Sequence, residues 1–376
     1  MDHRTSPQPR AGLLFAGRPL SSASSCCLRE ASQGAPAAAA AGFSAEYVFG
    51  DSLSDRGKVA ELFNVAGLWS GNFPNPPSYH DSFTNGPVAV EGLAKSLGLN
   101  ADPSLWVTGF KDPAGLFGGP SFVPGPNYAV GGATSAAHAV GGLPDINLPQ
   151  QIAAYSAFAS DHANPNALYV VMIGGNDVRD AALKGTGAAA VTAGVGYELA
   201  AISTLSGEGA KHFLVVNVPN IGLIPEFAEE DPSQAAEATK LSQLYNTDLA
   251  TGLAALDPTL GAGATLSEFN LFAFNEGILA DAGALGFKNL TDPCYSGTPF
   301  SAASNTGCGP GNIDSFVFWD DIHPTARVHA LWAEGFRTAI PEPSTWAMLL
   351  IGFAGLGFAG HRRSARTRAA RGRAFR

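Results

Sequence analysis

Residues that together could cleave an ester are spread across most of the chain. Ser52 lies in FGDSLSD (residues 49–55), directly after the apolar run EYVF, in a turn where Gly50 permits tight backbone geometry. A serine entering a helix is most often an N-cap. To act as a nucleophile it needs a base within hydrogen-bond reach and donors for the oxyanion. The candidate base is His323, in FWDDIHPTARVHAL, with Asp320 three residues earlier. A carboxylate at that spacing can fold under the imidazole, accept its Nδ1–H and aim Nε2 at the serine. Spacing alone admits Asp321 in place of Asp320, and a loop histidine beside two aspartates is also an ordinary solvated turn. His329 lies too far into the following helical stretch to be preferred. Two loops offer oxyanion donors: IGGNDVRD holds the Asn176 amide on a Gly-rich turn, and NYAVGGATS presents the Gly132 N–H. Gly-Gly and Asn-Asp are turn formers first, so each loop has a purely structural reading as well.

Each of these groups needs an element to carry it. Four apolar, β-branched or aromatic runs have strand length: residues 46–49, 167–173, 212–218 and 266–272. Between them, residues 87–97, 187–205 and 233–256 repeat apolar side chains at helical spacing. A further helix is expected over 324–338, with Pro324 in its first turn. Continuous apolar strands alternating with helices predict a parallel sheet covered on both faces. The Gly-, Pro- and aromatic-rich stretch from 64 to 127 is the least regular part and is expected to wall the site.

Composition narrows the partners. With 45% hydrophobic and 14% charged residues, the chain is neither disordered nor a coiled coil. Its net charge is −10, yet the stretch after Gly360 carries seven Arg and no acid, so the remainder stands at −17. An acidic body argues against nucleic acid as a partner. No P-loop, H-E-x-x-H, paired C-x-x-C or G-x-S-x-G elbow occurs, and nothing calls for a metal or cofactor.

Three regions are expected. Residues 1–42 end in APAAAAAG, like the cleavage region of an export leader, but lack its basic start and unbroken apolar stretch, which suggests a misassigned start. Residues 43–340 carry the strand–helix pattern. Residues 341–376 read PEPST, then an apolar stretch of about fifteen residues, shorter than the roughly 20 of a stable membrane span, then the Arg-rich end. In an exported protein, Cys294 and Cys308 are expected to close their Gly/Ser-rich loop as a disulfide worth about 3 kcal/mol; the alternative is two free thiols.

FGDSLSD, NYAVGGATS, IGGND and DDIHP, in this order, resemble the four blocks of GDSL-motif lipases and esterases, the SGNH hydrolases. SFTNGP (82–87) also resembles a segment of that family, and the likeness runs from Tyr47 to Arg327. It implies a flavodoxin-like three-layer α/β/α sandwich. It further implies a catalytic triad of Ser52, His323 and Asp320, and an oxyanion hole from the Ser52 and Gly132 N–H groups and the Asn176 amide. Lys58 departs from the pattern, since related sequences often have Asn after SD-x-G. The tail resembles the PEP-CTERM sorting signal of Gram-negative bacteria. That resemblance implies export to the cell surface or extracellular matrix, transient membrane association and an exosortase-type partner. Three rivals to a lipid or short-chain esterase stand beside it: a carbohydrate O-acetylesterase, an acyl transferase, and a non-catalytic matrix protein on the same scaffold.

Overall fold

The structure, a computed structural model, describes residues 42–60, 78–104, 125–136, 145–230, 232–297 and 304–341. The leader expected before Phe43 and the sorting tail, with its short apolar span, lie outside these residues, apart from Gly42 and Pro341.

Four parallel strands form the sheet: β1 (Glu46–Gly50), β2 (Leu168–Met172), β3 (His212–Val216) and β4 (Thr265–Phe269), adjacent in that order. Register is continuous, with Val48 opposite Val170, Val170 opposite Leu214 and Leu214 opposite Ser267. β2 is buried at every position, as a central strand covered on both faces must be. The outer edge of β1 is occupied as well. Val48 N–H donates to Pro126 O (3.0 Å), Tyr128 N–H to Val48 O (2.7 Å) and Val130 N–H to Gly50 O (3.1 Å). Residues 126–130 therefore run beside β1 as an irregular parallel strand, so the chain reverses its winding direction next to β1, where α/β sites form.

Helices cover both faces. Helices α1 (Ala89–Leu97) and α8 (Ala326–Ala339) pack on each other, and α8 also packs on β4. Helices α2 (Leu148–Ala159), α3 (Gly175–Lys184), α4 (Gly187–Gly207) and α6 (Pro232–Leu256) form the other group, with α2 against β1. The short α5 (Pro225–Glu230) and α7 (Leu271–Ala280) lie between them in sequence. Two small sheets complete the described part: β5 (Asn289–Pro293) with β8 (Phe316–Phe318), and β6 (Tyr295–Ser296) with β7 (Ser304–Asn305).

Three expectations need correction. The fourth run was read as strand to residue 272, but β4 stops at Phe269. Asn270 then accepts Ala273 N–H (2.9 Å) and caps α7, whose apolar start had merged with the strand in sequence. Pro324 is not in the first turn of α8. It precedes the Thr325 N-cap and bridges back to Phe318, closing the loop that carries His323. Asn176 does not sit on an open turn; it occupies the first turn of α3.

Candidate active site

The turn that carries Ser52 is fixed by the peptide groups on both sides of Gly50. Gln151 of α2, fully buried, accepts Gly50 N–H through Oε1 (2.8 Å) and donates to Gly50 O through Nε2 (2.8 Å). No side chain fits at Gly50, because a Cβ there would lie 2.3 Å from Met172 O. The chain then turns through 51–54, with Ser54 N–H donating to Asp51 O (3.1 Å). Asp51 Oδ1 accepts Leu53 N–H (3.0 Å). Burial pushes the Asp51 carboxyl up to about 7, with the Leu53 N–H and the charge of His323 holding it down.

Opposite Ser52, the loop after β8 folds so that Asp320 and His323 face it. His323 Nε2 is 2.8 Å from Ser52 Oγ, and its Nδ1 is 2.9 Å from both carboxylate oxygens of Asp320. Asp320 Oδ1 also accepts the N–H groups of Ile322 (2.9 Å) and His323 (2.6 Å), which locks the loop to its own acid. Asp320 is fully buried, so its charge is met by these donors and not by water. Asp321, equally admissible by spacing, turns away: its Oδ2 accepts Gly297 N–H (2.6 Å) and its carbonyl accepts Glu226 N–H (2.9 Å). His329 is buried elsewhere, with Nδ1 accepting Ala89 N–H (3.2 Å) at the start of α1.

SFTNGP packs against the His323 loop. The Phe83 ring lies 4.9 Å from the His323 ring, Thr84 Oγ1 donates to Pro324 O (3.0 Å), and Asn85 Oδ1 accepts Ala326 N–H (2.8 Å). The Cys294–Cys308 disulfide closes a loop whose strand runs along the segment leading to Asp320 and His323. Cys294 N–H donates to Phe318 O and Tyr295 N–H to Trp319 O, each at 3.0 Å.

The Gly132 and Asn176 loops are tied to each other. Gly132 lies in the turn 130–133, closed by Ala133 N–H to Val130 O (3.1 Å). Among the described residues neither the Ser52 nor the Gly132 N–H has an acceptor in the protein. Asn176 Nδ2 spends one N–H on Ala133 O (2.8 Å), which joins its loop to that of Gly132 and leaves the second N–H open. Gly131, next door, donates to Asp55 Oδ2 (2.7 Å). Burial raises the Asp55 carboxyl above its ordinary range, and the charge of Lys58 opposes that rise. Lys58 is buried, and its Nζ donates to Asn127 O (2.7 Å) and Ala129 O (3.0 Å). The residue that departs from the expected pattern thus anchors the strand leading into the Gly132 turn.

Ser52, Asn176 and His323 border one cavity that opens to solvent. Gly132 is not part of that lining; it approaches from the β1 flank. Beyond the polar groups the walls are apolar, with Ile221, Ile224, Ile278, Val317, Ile322 and Trp332 among them. Arg179 also lines the cavity, its Nε donating to Glu226 Oε2 (2.5 Å) in a two-bonded ion pair. Sequence reasoning passed over Gln151, Asp51, Phe83 and Arg179. Of these, Asp51, Phe83 and Arg179 lie in segments already singled out, and Gln151 does not.

The GDSL-like Lipase/Acylhydrolase family matches residues 47–336, and the PEP-CTERM protein-sorting motif matches residues 339–363. A thermolabile hemolysin of Vibrio parahaemolyticus is 27% identical over 296 residues, covering 76% of this chain and 61% of the relative. A GDSL lipase of Tanacetum cinerariifolium is 26% identical over 315 residues, with 77% and 82% covered. Esterase EstA of Pseudomonas aeruginosa is 28% identical over 346 residues, with 86% of this chain and 51% of the relative covered. The chain thus spans little more than half the length of the hemolysin and of EstA. With the family match running from β1 through α8, the chain belongs to the GDSL-like lipase/acylhydrolase family and carries a PEP-CTERM sorting motif behind that domain.

Proposed function

We propose that the protein is an exported serine ester hydrolase, with Ser52 as nucleophile, His323 as base and Asp320 as its orienting acid. The observation that carries this is the continuous chain of hydrogen bonds from Asp320 through His323 to Ser52 Oγ, the last link 2.8 Å long. His323 Nε2 takes the Ser52 proton as Oγ bonds to the ester carbonyl carbon. The negative oxygen is held by the Ser52 and Gly132 N–H groups and the open N–H of Asn176. The carbon–alkoxy bond then breaks, and His323 returns the proton to the leaving alcohol. Water, deprotonated by the same histidine, releases the acid and restores Ser52. A neutral imidazole is required at the start.

The apolar walls beside Ser52 favour an acyl chain several carbons long over the acetyl groups of a decorated polysaccharide, because each buried methylene contributes about 0.8 kcal/mol. The sorting motif supports export, handling by an exosortase-type enzyme and delivery to the surface or matrix of a Gram-negative cell. The test is turnover of p-nitrophenyl acetate, butyrate, octanoate and palmitate by the wild-type protein and Ser52→Ala. The proposal expects hydrolysis that favours the longer chains and disappears in the variant. Hydrolysis that survives in Ser52→Ala overturns the assignment of the nucleophile, and a preference for acetate overturns the acyl reading.

A further inference from the structure

The two donor loops are joined to each other and also to a common support. Asn176 Nδ2 donates to Ala133 O, and one residue further along in α3, Asp177 Oδ2 accepts Ser135 N–H, each at 2.8 Å. Asp177 is buried against α4, where a Cβ on Gly194 would come within 2.9 Å of its Oδ1. Beneath both loops sits Tyr245 of α6, with no exposed surface. Its ring presses on Gly174 so closely that a Cβ there would lie 2.4 Å from Cζ, and Gly174 holds φ at 101°. Its hydroxyl donates to Glu198 Oε2 (2.6 Å) and lies 2.9 Å from Ser135 Oγ. Either hydroxyl can supply the proton of this second bond.

This arrangement costs the fold something that an apolar core would not. Glu198 is fully buried, and its Oε1 has no partner. Burial without a full set of hydrogen bonds is unfavourable, and an apolar pair of the same shape would be at least as stable. The polar pair is therefore better accounted for by what it holds than by stability. Tyr245 reaches one loop by contact at Gly174, two residues before Asn176. It reaches the other by hydrogen bond at Ser135, three residues after Gly132.

We propose that Tyr245, seated on Glu198, is a positioning residue that sets the separation of the Gly132 and Asn176 loops and so the geometry of the oxyanion site. This rests on the oxyanion roles given under the proposed function. Tyr245 touches no substrate, so its effect falls on kcat. Tyr245→Phe keeps the ring on Gly174 and removes the hydroxyl. Loss of the tie to Ser135, together with the bond to Glu198, predicts a kcat about fivefold to tenfold lower, with KM unchanged. Ser135→Ala, which severs the same arm from the other side and leaves the Glu198 bond, predicts a loss in kcat no larger than that of Tyr245→Phe. The double variant loses no more than Tyr245→Phe alone, because both break the same Ser135–Tyr245 bond.

Steady-state kinetics on a p-nitrophenyl ester is to be paired with hydrogen exchange of residues 130–136 and 174–178. Exchange in both segments is expected to rise in each variant, while β2 and β3 stay unchanged. Unaltered kcat, additive losses, or a change shared between kcat and KM would overturn the proposal. If Tyr245→Phe does not fold, Ser135→Ala carries the test. If the wild-type protein hydrolyses no ester, the hydrolase reading fails, and exchange alone decides on the strut.

Discussion

Removing the Cys294–Cys308 disulfide perturbs both the stability of the domain and the loop that holds the base. The two cysteines are separated by 14 residues, with Cα atoms 5.1 Å apart, so the bond closes a short loop. Chain-entropy arithmetic for a loop of this size gives about 3 kcal/mol. For a domain of roughly 300 residues, with an unfolding entropy of about 2.1 cal/mol/K per residue, that corresponds to a Tm about 5 °C lower. The same loop lines the triad segment through Cys294 N–H to Phe318 O, Tyr295 N–H to Trp319 O, and Gly297 N–H to Asp321 Oδ2. Loosening this support is expected to cost about 1 kcal/mol of positioning, roughly fivefold in kcat. The assay is calorimetric Tm and ester kinetics on the Cys294→Ala/Cys308→Ala protein beside the wild type with and without reductant. An unchanged Tm together with an unchanged kcat would refute both the entropic estimate and the bracing of the base. A lowered Tm with full activity would refute the second alone.

Asn176→Ala removes a candidate oxyanion donor and the tie to Ala133 O, and predicts a kcat lower by about 100- to 1,000-fold. Substrate affinity is expected to change little, so the loss is read in kcat with KM nearly constant. Stability should fall as pH rises through neutrality, because burial pushes the carboxyls of Asp51 and Glu198 up to about 7 and about 8. These groups bind a proton more tightly folded than unfolded, so their contribution is present at low pH and is lost as pH climbs through those values. His329 works in the opposite sense below about 6.5, since burial drives its imidazole down to about 3. Between pH 6.5 and 9 the carboxyls therefore decide the sign, and urea midpoints are expected to decrease, less steeply in Glu198→Gln. A wild-type midpoint that rises across this window contradicts the burial argument.

Much of the frame was legible because it is written in contiguous residues. β1, β2 and β3 are short runs of branched and aromatic side chains, and such runs cannot be half-exposed without cost. The grouping of Asp320, His323 and Ser52 was legible for a related reason: Asp320 and His323 lie three residues apart, so one loop brings them together, and only Ser52 had to be supplied by the fold. Choosing Asp320 over Asp321 required more than spacing, since the choice depends on Gly297 and Glu226 capturing Asp321. The supports were not legible. Gln151 holds a peptide 101 positions away, Tyr245 holds a serine 110 positions away, and Lys58 caps carbonyls 69 and 71 positions away. At those separations a side chain's type carries no trace of its partner. The start of α3 was hidden differently: Gly-Gly-Asn-Asp reads as a turn. Here its first glycine bends the chain against Tyr245 and the second begins a helix.

The central claim is that Ser52 is a nucleophile activated by His323, and covalent capture tests it without any assumption about substrate. The protein is exposed to an alkyl fluorophosphonate, which phosphonylates a serine only when an adjacent base takes its proton, and the product is read by intact mass and peptide mapping. The account predicts a single adduct on Ser52, absent in Ser52→Ala and formed far more slowly in His323→Ala. An adduct on another serine, or equal labelling in His323→Ala, would contradict it.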